Sequence, residues 1–148
     1  MQLLTRDDFR IKASHFNITR AENLLRIACG AFMFPHALSK FAAFGVLSAG
    51  TIGFFGKAGF QPPELWAWLA AFTEAACGIA LVLGLCTRYA ALGAAGALAI
   101  AVYALHTVKG FGWLWNTGGY EYPIFWGLAC VTVALWEFRR VYGPSAQR

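Results

Sequence analysis

The sequence predicts an all-α fold, an integral membrane four-helix bundle with a polar centre and both termini in the cytoplasm. Hydrophobic residues make up 59% of the chain and charged residues only 13%, whereas about a quarter of a typical soluble domain is charged. Four long apolar stretches lie between Leu24 and Phe138. Hydrocarbon does not solvate charge, so ionisable residues in such stretches usually pair with one another or line a site. They lie inside or at the ends of the stretches, at Arg26, His36, Lys40, Glu74, His106 and Glu121.

The apolar pattern divides the chain into three parts. Residues 1–20 are polar and mixed in charge, and we expect them to form a cytoplasmic N-terminal tail. Residues 21–138 form the transmembrane domain, and residues 139–148 form a cytoplasmic C-terminal tail. The expected spans cover about residues 21–41, 65–86, 89–105 and 123–138.

Each span has its own sequence features. The first carries Arg26 about one turn inside its start, and Pro62-Pro63 precedes the second, where proline suits a helix N-terminus. In the third, Gly93 and Ala97 have the small-xxx-small spacing that lets helix backbones approach closely. This span should lie centrally in the bundle or face another subunit, as in a homo-oligomer. The last two spans are shorter than the ~20 residues that a ~30 Å core requires, so we expect little tilt or a thinned bilayer.

The distribution of lysine and arginine sets the orientation. With four spans, both termini and the middle loop share one side of the membrane. That side carries the basic residues Arg6, Arg10, Lys12, Arg20, Arg88, Arg139, Arg140 and Arg148, against Lys57 and Lys109 in the other loops. The positive-inside rule therefore places both termini in the cytoplasm. Since the net charge of +5 comes from clusters at the chain ends, nucleic-acid binding is not expected.

The cysteines indicate no metal or redox chemistry. Cys29, Cys77, Cys86 and Cys130 all lie in apolar stretches, and no two form a C-x-x-C pair. The sequence therefore contains neither a zinc motif nor a thioredoxin-like motif, and we expect no bound metal. We interpret the cysteines as small buried hydrophobic residues.

The two loops on the outer side are rich in glycine and aromatic residues. The first covers about residues 42–64, and the second, residues 106–122, contains Trp113 and Tyr120. Aromatic residues at this depth usually anchor a protein at the membrane interface. The alternative is that the loops fold over the outer end of the bundle as a lid, with Trp113 and Tyr120 beside a pocket.

The ionisable residues of the spans are predicted to meet in the outer half of the bundle. His36 and Lys40 have the i, i+4 spacing of one helix face. Glu74 lies about nine residues below the outer start of its span, near the midplane, and His106 and Glu121 mark the outer ends of the third and fourth spans. We expect a polar pocket there. The alternative is a structural network in which Glu74 pairs with Lys40 or His36 and only docks the helices.

Two arginines lie nearer the cytoplasmic side. Arg26 could snorkel to the inner headgroups, reach Glu74 or pair with Glu22, and Arg88 between the second and third spans is most simply an anchoring charge. The candidate catalytic residues are His36, Glu74 and His106. The candidate pocket residues are Arg26, Lys40, Arg88, Glu121, Trp113 and Tyr120.

Such a pocket suits a quinone headgroup. Carboxylic acids and histidines in apolar surroundings exchange protons near neutral pH, and aromatic walls accept flat, lipid-soluble rings. The sequence contains no G-x-G-x-x-G, C-x-x-C-H or iron–sulfur spacing, so electrons would come from a partner. Haem ligation by His36 and His106 is the less favoured alternative.

At these residues the chain resembles the DoxX family of small four-span bacterial membrane proteins. The resemblance extends over about residues 23 to 137. It rests on short motifs that occur in order: Asn23-Leu-Leu-Arg26 with Gly30, Phe34-Pro-His36 with Lys40, Gly53-Phe-Phe55 with Gly59 and Pro62-Pro63, Glu74 with Gly78, Gly84-Leu-Cys-Thr-Arg88, His106, and Gly119-Tyr-Glu121. The chain differs at Ala37, where the family often has glycine, and in the tail from Val141 to Ser145, which lacks the usual Gly-rich, Ser-Asp ending.

The resemblance implies a four-helix fold in the bacterial inner membrane and a link to quinone-dependent oxidation of sulfur compounds. One family branch is a subunit of a thiosulfate:quinone oxidoreductase, and another is similar to a membrane partner of redox-stress enzymes. We therefore expect a quinone-linked membrane subunit of an oxidoreductase system, partnered by a soluble redox protein or a larger membrane complex. The alternatives are a non-catalytic assembly subunit and a small proton-coupled carrier. Whether the chain is itself an enzyme stays open.

Overall fold

The computed structural model describes residues 3–143, which are mostly helical. The α-helices are α1 (Ala21–Ala31), α2 (Met33–Leu38), α3 (Ala49–Lys57), α4 (Pro63–Leu83), α5 (Thr87–Lys109) and α6 (Glu121–Tyr142). A short antiparallel hairpin, β1 (Phe41–Ala43) and β2 (Val46–Leu47), follows α2. Short 3-10 turns cover Arg6–Phe9, Ala13–Phe16 and Trp115–Thr117.

The first expected span, residues 21–41, is divided into two helices and the start of a strand. The break between α1 and α2 falls at Phe32. Pro35 explains it, because proline has no N–H to donate to the carbonyl of Ala31 and its ring crowds that carbonyl. Lys40 consequently lies in the turn beyond α2 rather than on a continuous helix.

The other long helices differ from the expected spans mainly at their ends. α4 ends at Leu83, where Gly84 adopts a left-handed conformation with φ of 74°. α5 and α6 contain 23 and 22 residues and are therefore longer than predicted. Polar residues at their ends, such as Thr107 and Glu121, continue the helices, and a proline at position 123 is tolerated within the first turn of α6.

The long helices pack in a ring. α5 contacts both α4 and α6, and α1 contacts the same two helices from the other side. The shared core consists mostly of small side chains, since six of its ten buried members are alanine or cysteine: Cys29, Met33, Leu81, Ala90, Ala91, Ala94, Leu98, Cys130, Val133 and Ala134. The predicted central position of the third span is thus reflected in α5. Buried Cys29 and Cys130 fit the interpretation of the cysteines as small hydrophobic residues.

Large apolar side chains point away from this core. Exposed examples on the three long helices are Leu65, Leu69, Phe72, Ile79, Leu92, Ile100, Tyr103, Phe125, Leu128 and Leu135. α4 and α5 are each long and apolar enough to cross a membrane. Small residues between helices and large apolar residues outside are the arrangement expected where lipid surrounds a bundle.

The two ends of the ring differ in composition. We call the end with residues 39–62 and 110–120 the loop end, and the end with residues 3–20, the turn at residues 84–86 and the last turn of α6 the basal end. At the loop end, Phe60 packs with its ring centroid 5.7 Å from that of Phe55 and 6.0 Å from that of Tyr103. At the basal end, residues 3–20 are packed against the helices rather than detached as a tail. Residues 144–148 of the expected C-terminal tail lie outside the described residues.

Candidate functional site

One ion pair joins two of the predicted site residues. Lys40 Nζ donates a hydrogen bond of 2.5 Å to Glu74 Oε2, and the two side chains are only 13% and 16% exposed. The same ammonium donates to the carbonyl oxygen of His36 at 3.1 Å. Glu74 lies near the middle of α4, so this contact fastens the turn after α2 to the middle of the bundle. The alternative interpretation of these residues, a structural network in which Glu74 pairs with Lys40 or His36, agrees with this geometry.

Aromatic residues lie close to Lys40 and Glu74 in the sequence. Phe41, next to Lys40 in the chain, packs edge-on against Trp68 at a centroid distance of 5.1 Å, and Trp68 stacks on Phe72 at 5.6 Å. The His36 ring, which is exposed, lies 5.3 Å from the ring of Trp126 in α6. Phe41 follows Lys40 in the chain, Phe72 lies two residues before Glu74, and His36 provides the carbonyl to which Lys40 donates.

The remaining predicted outer residues form a second group at the loop end. The buried ring of Tyr120 packs against His106 at 6.1 Å, and Glu121 accepts a hydrogen bond of 3.3 Å from the backbone N–H of Trp115. Trp113 is half exposed, and its carbonyl oxygen accepts from the N–H of Glu121. Within residues 3–143, no hydrogen bond or ion pair connects His106 or Glu121 to the Lys40–Glu74 pair.

A buried ion pair at the basal end was not predicted. Arg88, interpreted most simply as an anchoring charge at the membrane surface, is 1% exposed and forms a two-pronged contact with Asp8, at 2.6 and 2.9 Å. It also donates to the carbonyl oxygen of Leu3 and lies over the rings of Tyr89 and Tyr142. Its Nε–H has no hydrogen-bond partner in the described part of the chain. Arg88 thus holds the N-terminal segment against the start of α5.

Arg26 is also used at the basal end and pairs with neither Glu74 nor Glu22. It is buried and donates to the carbonyl oxygens of Leu81, Val82 and His15. It thus supplies additional donors to carbonyls in the last turn of α4. Glu22 instead pairs with Arg20, at 2.7 Å.

Two groups of the N-terminal segment have altered acidity. Burial alone would raise the pKa of the Asp8 carboxyl, but hydrogen bonds from Arg88 and Thr5 outweigh it and hold the pKa below its ordinary value. Burial lowers the pKa of His15, and the positive charges of Arg26 and Lys12 lower it further. The hydrogen bond with the Leu83 carbonyl raises the pKa but does not outweigh these effects. Both groups lie where residues 3–20 meet the helix ends.

We expect acidification to destabilise the protein in two stages. The unfolded chain protonates His15 near its ordinary pKa of 6.5, while the folded protein resists, so stability begins to fall below that pH. The stabilising effect of Asp8 is fully present above the ordinary pKa of 3.8 and is lost as pH falls below it. Thermal unfolding in detergent across this range measures both stages. His15→Gln should remove the first stage only, and an unchanged profile in that variant would contradict the assignment.

Two cavities lie at or near the basal end. One of about 360 Å³ lies between residues 3–20, the start of α5 and the end of α6. Another of about 260 Å³ lies between α1 and α6, beside Arg26 and Trp136. Among the described residues there is no group of three or more histidine, cysteine or acidic residues placed to hold a metal ion.

A comparison with sequence models of protein families identifies the family of this chain. The model of the DoxX family matches residues 22–107, which is more than half of the sequence. The chain belongs to the DoxX family. The matched DoxX region runs from the start of α1 almost to the end of α5 and includes Arg26, Lys40, Glu74 and Arg88. Comparison with curated proteins and with solved structures gives no match.

The resemblance inferred from short motifs is therefore confirmed, and the DoxX family is a family of membrane proteins. Asp8 and His15 precede the matched region, whereas Tyr120 and Glu121 follow it. The sequence did offer a weak signal for Asp8, because an acidic residue in a basic segment suggests a nearby cation. It offered none for the identity of that cation, which lies 80 residues away.

Proposed function

We propose that this DoxX-family protein spans the bacterial inner membrane four times, with both termini in the cytoplasm. α1 and α2 together would form the first pass, and α4, α5 and α6 the others. The apolar outer faces of the long helices support this topology, as does the concentration of arginine and lysine at the basal end. The basal end would then face the cytoplasm and the loop end the exterior.

We further propose that it is a quinone-linked subunit of an oxidoreductase system. The observation that carries this proposal is the Lys40–Glu74 ion pair. Charged side chains at the depth of the middle of α4 have an unfavourable free energy in lipid, so their presence there indicates a functional role. Because neither side chain is fully buried, a flat polar headgroup could reach the pair from the bilayer, and aromatic residues occur close to both in the sequence.

The residues would have distinct roles around such a headgroup. A bound quinone supplies two-electron chemistry, and the electrons would come from a soluble redox partner or a larger membrane complex. Lys40 Nζ would donate a hydrogen bond to a carbonyl oxygen, and the Glu74 carboxylate would accept a proton. Phe41 and Trp68 would flank the ring. His106 and Tyr120, at the loop end, would cover the approach from outside.

Glu74→Gln should reduce the quinone retained by the purified protein about tenfold, since it removes the charge of a hydrogen-bonded partner while keeping its shape. Quinone content is measured by mass spectrometry after gentle detergent extraction. The matched control is Glu64→Gln, an exposed glutamate in the first turn of the same helix, which should retain the wild-type amount. Equal quinone in both variants, with quinone-coupled activity intact, would rule out this function.

A non-catalytic assembly subunit is the second candidate. It is favoured by the fact that Lys40 and Glu74 satisfy each other and thereby dock the turn after α2 on α4. In that case Glu74→Gln should lower thermal stability and weaken capture of a membrane partner, and no quinone should accompany the wild-type protein.

A further inference from the structure

The cavity of about 360 Å³ at the basal end has the residues of an anion site. It lies beyond the C-terminus of α4, away from the Lys40–Glu74 pair in the middle of that helix, and its size lies within the range of small-molecule sites. Its walls come from the N-terminal segment, the start of α5 and the end of α6. The lining residues are Thr5, Arg6, Asp7, Asp8, Lys12, His15, Gly84, Thr87, Glu137, Arg140 and Val141.

The start of α5 presents unused hydrogen-bond donors to this cavity. Cys86, the residue before the helix, provides no side-chain cap. Among the described residues, the backbone N–H groups of Thr87 and Arg88 have no acceptor. Thr87 also lines the cavity, is only 7% exposed, and its hydroxyl has no hydrogen-bond partner in the described part of the chain. Free amides at a helix N-terminus attract anions through the helix dipole as well as by hydrogen bonding.

The carboxylates around the cavity are already paired. Asp7 pairs with Lys12 at 3.1 Å, and Glu137 pairs with Arg140 at 2.7 Å. Asp8 is held by Arg88. Each of these acids is therefore neutralised by its own cation, and none is left to neutralise a further basic residue at the cavity.

One cation at the cavity remains unpaired. Arg6 is exposed and has no ion pair within residues 3–143. The carbonyls at the end of α4, which would repel an anion, accept hydrogen bonds from Arg26. The lowered pKa of His15, another lining residue, has burial as its main cause, but positive charge from Arg26, Lys12 and Arg140 also contributes. Since Asp8 is paired with Arg88, and Asp7 and Glu137 with Lys12 and Arg140, the charge of Arg6 is left unbalanced at the cavity.

We infer that this cavity binds a phosphate group. Its oxygens would accept hydrogen bonds from the Thr87 hydroxyl and the first amides of α5, and Arg6 would neutralise charge at the mouth. The phosphate could belong to a lipid headgroup of the adjacent leaflet or to a free phosphate ion. The chemistry is the same for both sources, and the experiment below separates them.

The test uses the full chain in phosphatidylcholine nanodiscs and follows thermal unfolding by tryptophan fluorescence. One arm titrates sodium phosphate against sodium chloride at matched ionic strength. The other replaces the phosphatidylcholine stepwise with phosphatidic acid, up to about a fifth of the lipid. Wild-type protein should show a saturable rise in Tm in at least one arm, and that arm identifies the source.

Four variants locate the binding. Thr87→Val, which keeps the shape of the side chain, and Arg6→Gln should each weaken binding about tenfold. Thr87→Ser, which keeps the hydroxyl, should bind like wild type. Arg139→Gln removes the same charge from an exposed position that does not line the cavity, so it should also bind like wild type. The inference is overturned if neither arm saturates, or if Thr87→Val and Arg6→Gln bind no more weakly than Arg139→Gln.

Discussion

Replacing Arg88 with methionine should lower the free energy of unfolding by about 3–5 kcal/mol, the usual cost of breaking a buried ion pair by removing one partner. The loss is large because Asp8, itself only 8% exposed, would stay charged without its two-pronged partner. The carbonyl of Leu3 would lose the donor that Arg88 provides and would keep those of Tyr89 and Tyr142. Titration of the protein from mild detergent into a denaturing detergent, followed by fluorescence, measures the difference.

Two comparisons separate this effect from a general loss of charge. Arg10→Gln removes an arginine whose contact with Asp7, at 4.0 Å, lies on the surface, and it should change stability by less than about 1 kcal/mol. Combining Arg88→Met with Asp8→Asn should recover part of the loss, because no unpaired charge then remains buried. A loss in Arg88→Met no greater than in Arg10→Gln would show that the pair does not hold the fold together.

Long-range pairing is what the sequence could not reveal at the basal end. The sequence places Arg88 at a short break between two apolar segments. Arginine at such a break usually anchors and orients the protein at the membrane surface. Its burial depends on how residues 3–20 fold back, and those residues have no periodic apolar pattern. The contacts of Asp8 and His15 at the basal end could therefore not be predicted from the sequence.

Local sequence patterns predicted the helices better than they predicted the contacts at the basal end. Apolar length located α4, α5 and α6. The i, i+4 spacing of His36 and Lys40 was less informative, because Lys40 lies beyond the end of α2 and donates to the backbone carbonyl of His36. The break in the first span had a visible cause in Pro35, yet a proline inside an apolar stretch can either kink a helix or end it. Hydropathy alone does not choose between these outcomes.

Helix contact is also poorly visible in sequence, because it depends on which small residues face one another. Gly93, in the recognised small-xxx-small spacing, lies close to the side chain of Cys77 in α4, but the backbone-to-backbone crossing is between Gly30 of α1 and Gly78 of α4. A Cβ added at Gly30 would lie 2.8 Å from the carbonyl oxygen of Gly78, and one added at Gly78 would lie 3.0 Å from that of Gly30. These two glycines let α1 and α4 touch through their backbones.

Gly30→Ala should therefore destabilise the protein by about 1–3 kcal/mol, the range typical of overpacking a closely packed core. The added methyl would meet Leu81 Cβ at 2.7 Å and the backbone N of Val82 at 3.0 Å as well as the Gly78 carbonyl, so the two helices would have to separate. Separation would also pull Arg26 from the carbonyls of Leu81 and Val82. Stability is measured by the same detergent titration.

Gly96→Ala is the matched control, because Gly96 lies within α5 and a Cβ there would meet nothing within 4 Å. Alanine is favoured over glycine in a helix by up to about 1 kcal/mol, so this variant should be as stable as wild type or slightly more so. The opposite signs of the two substitutions separate close helix contact from helix propensity. If Gly30→Ala were as stable as Gly96→Ala, α1 and α4 could not be in backbone contact, and the position of Arg26 against the end of α4 would lose its structural basis.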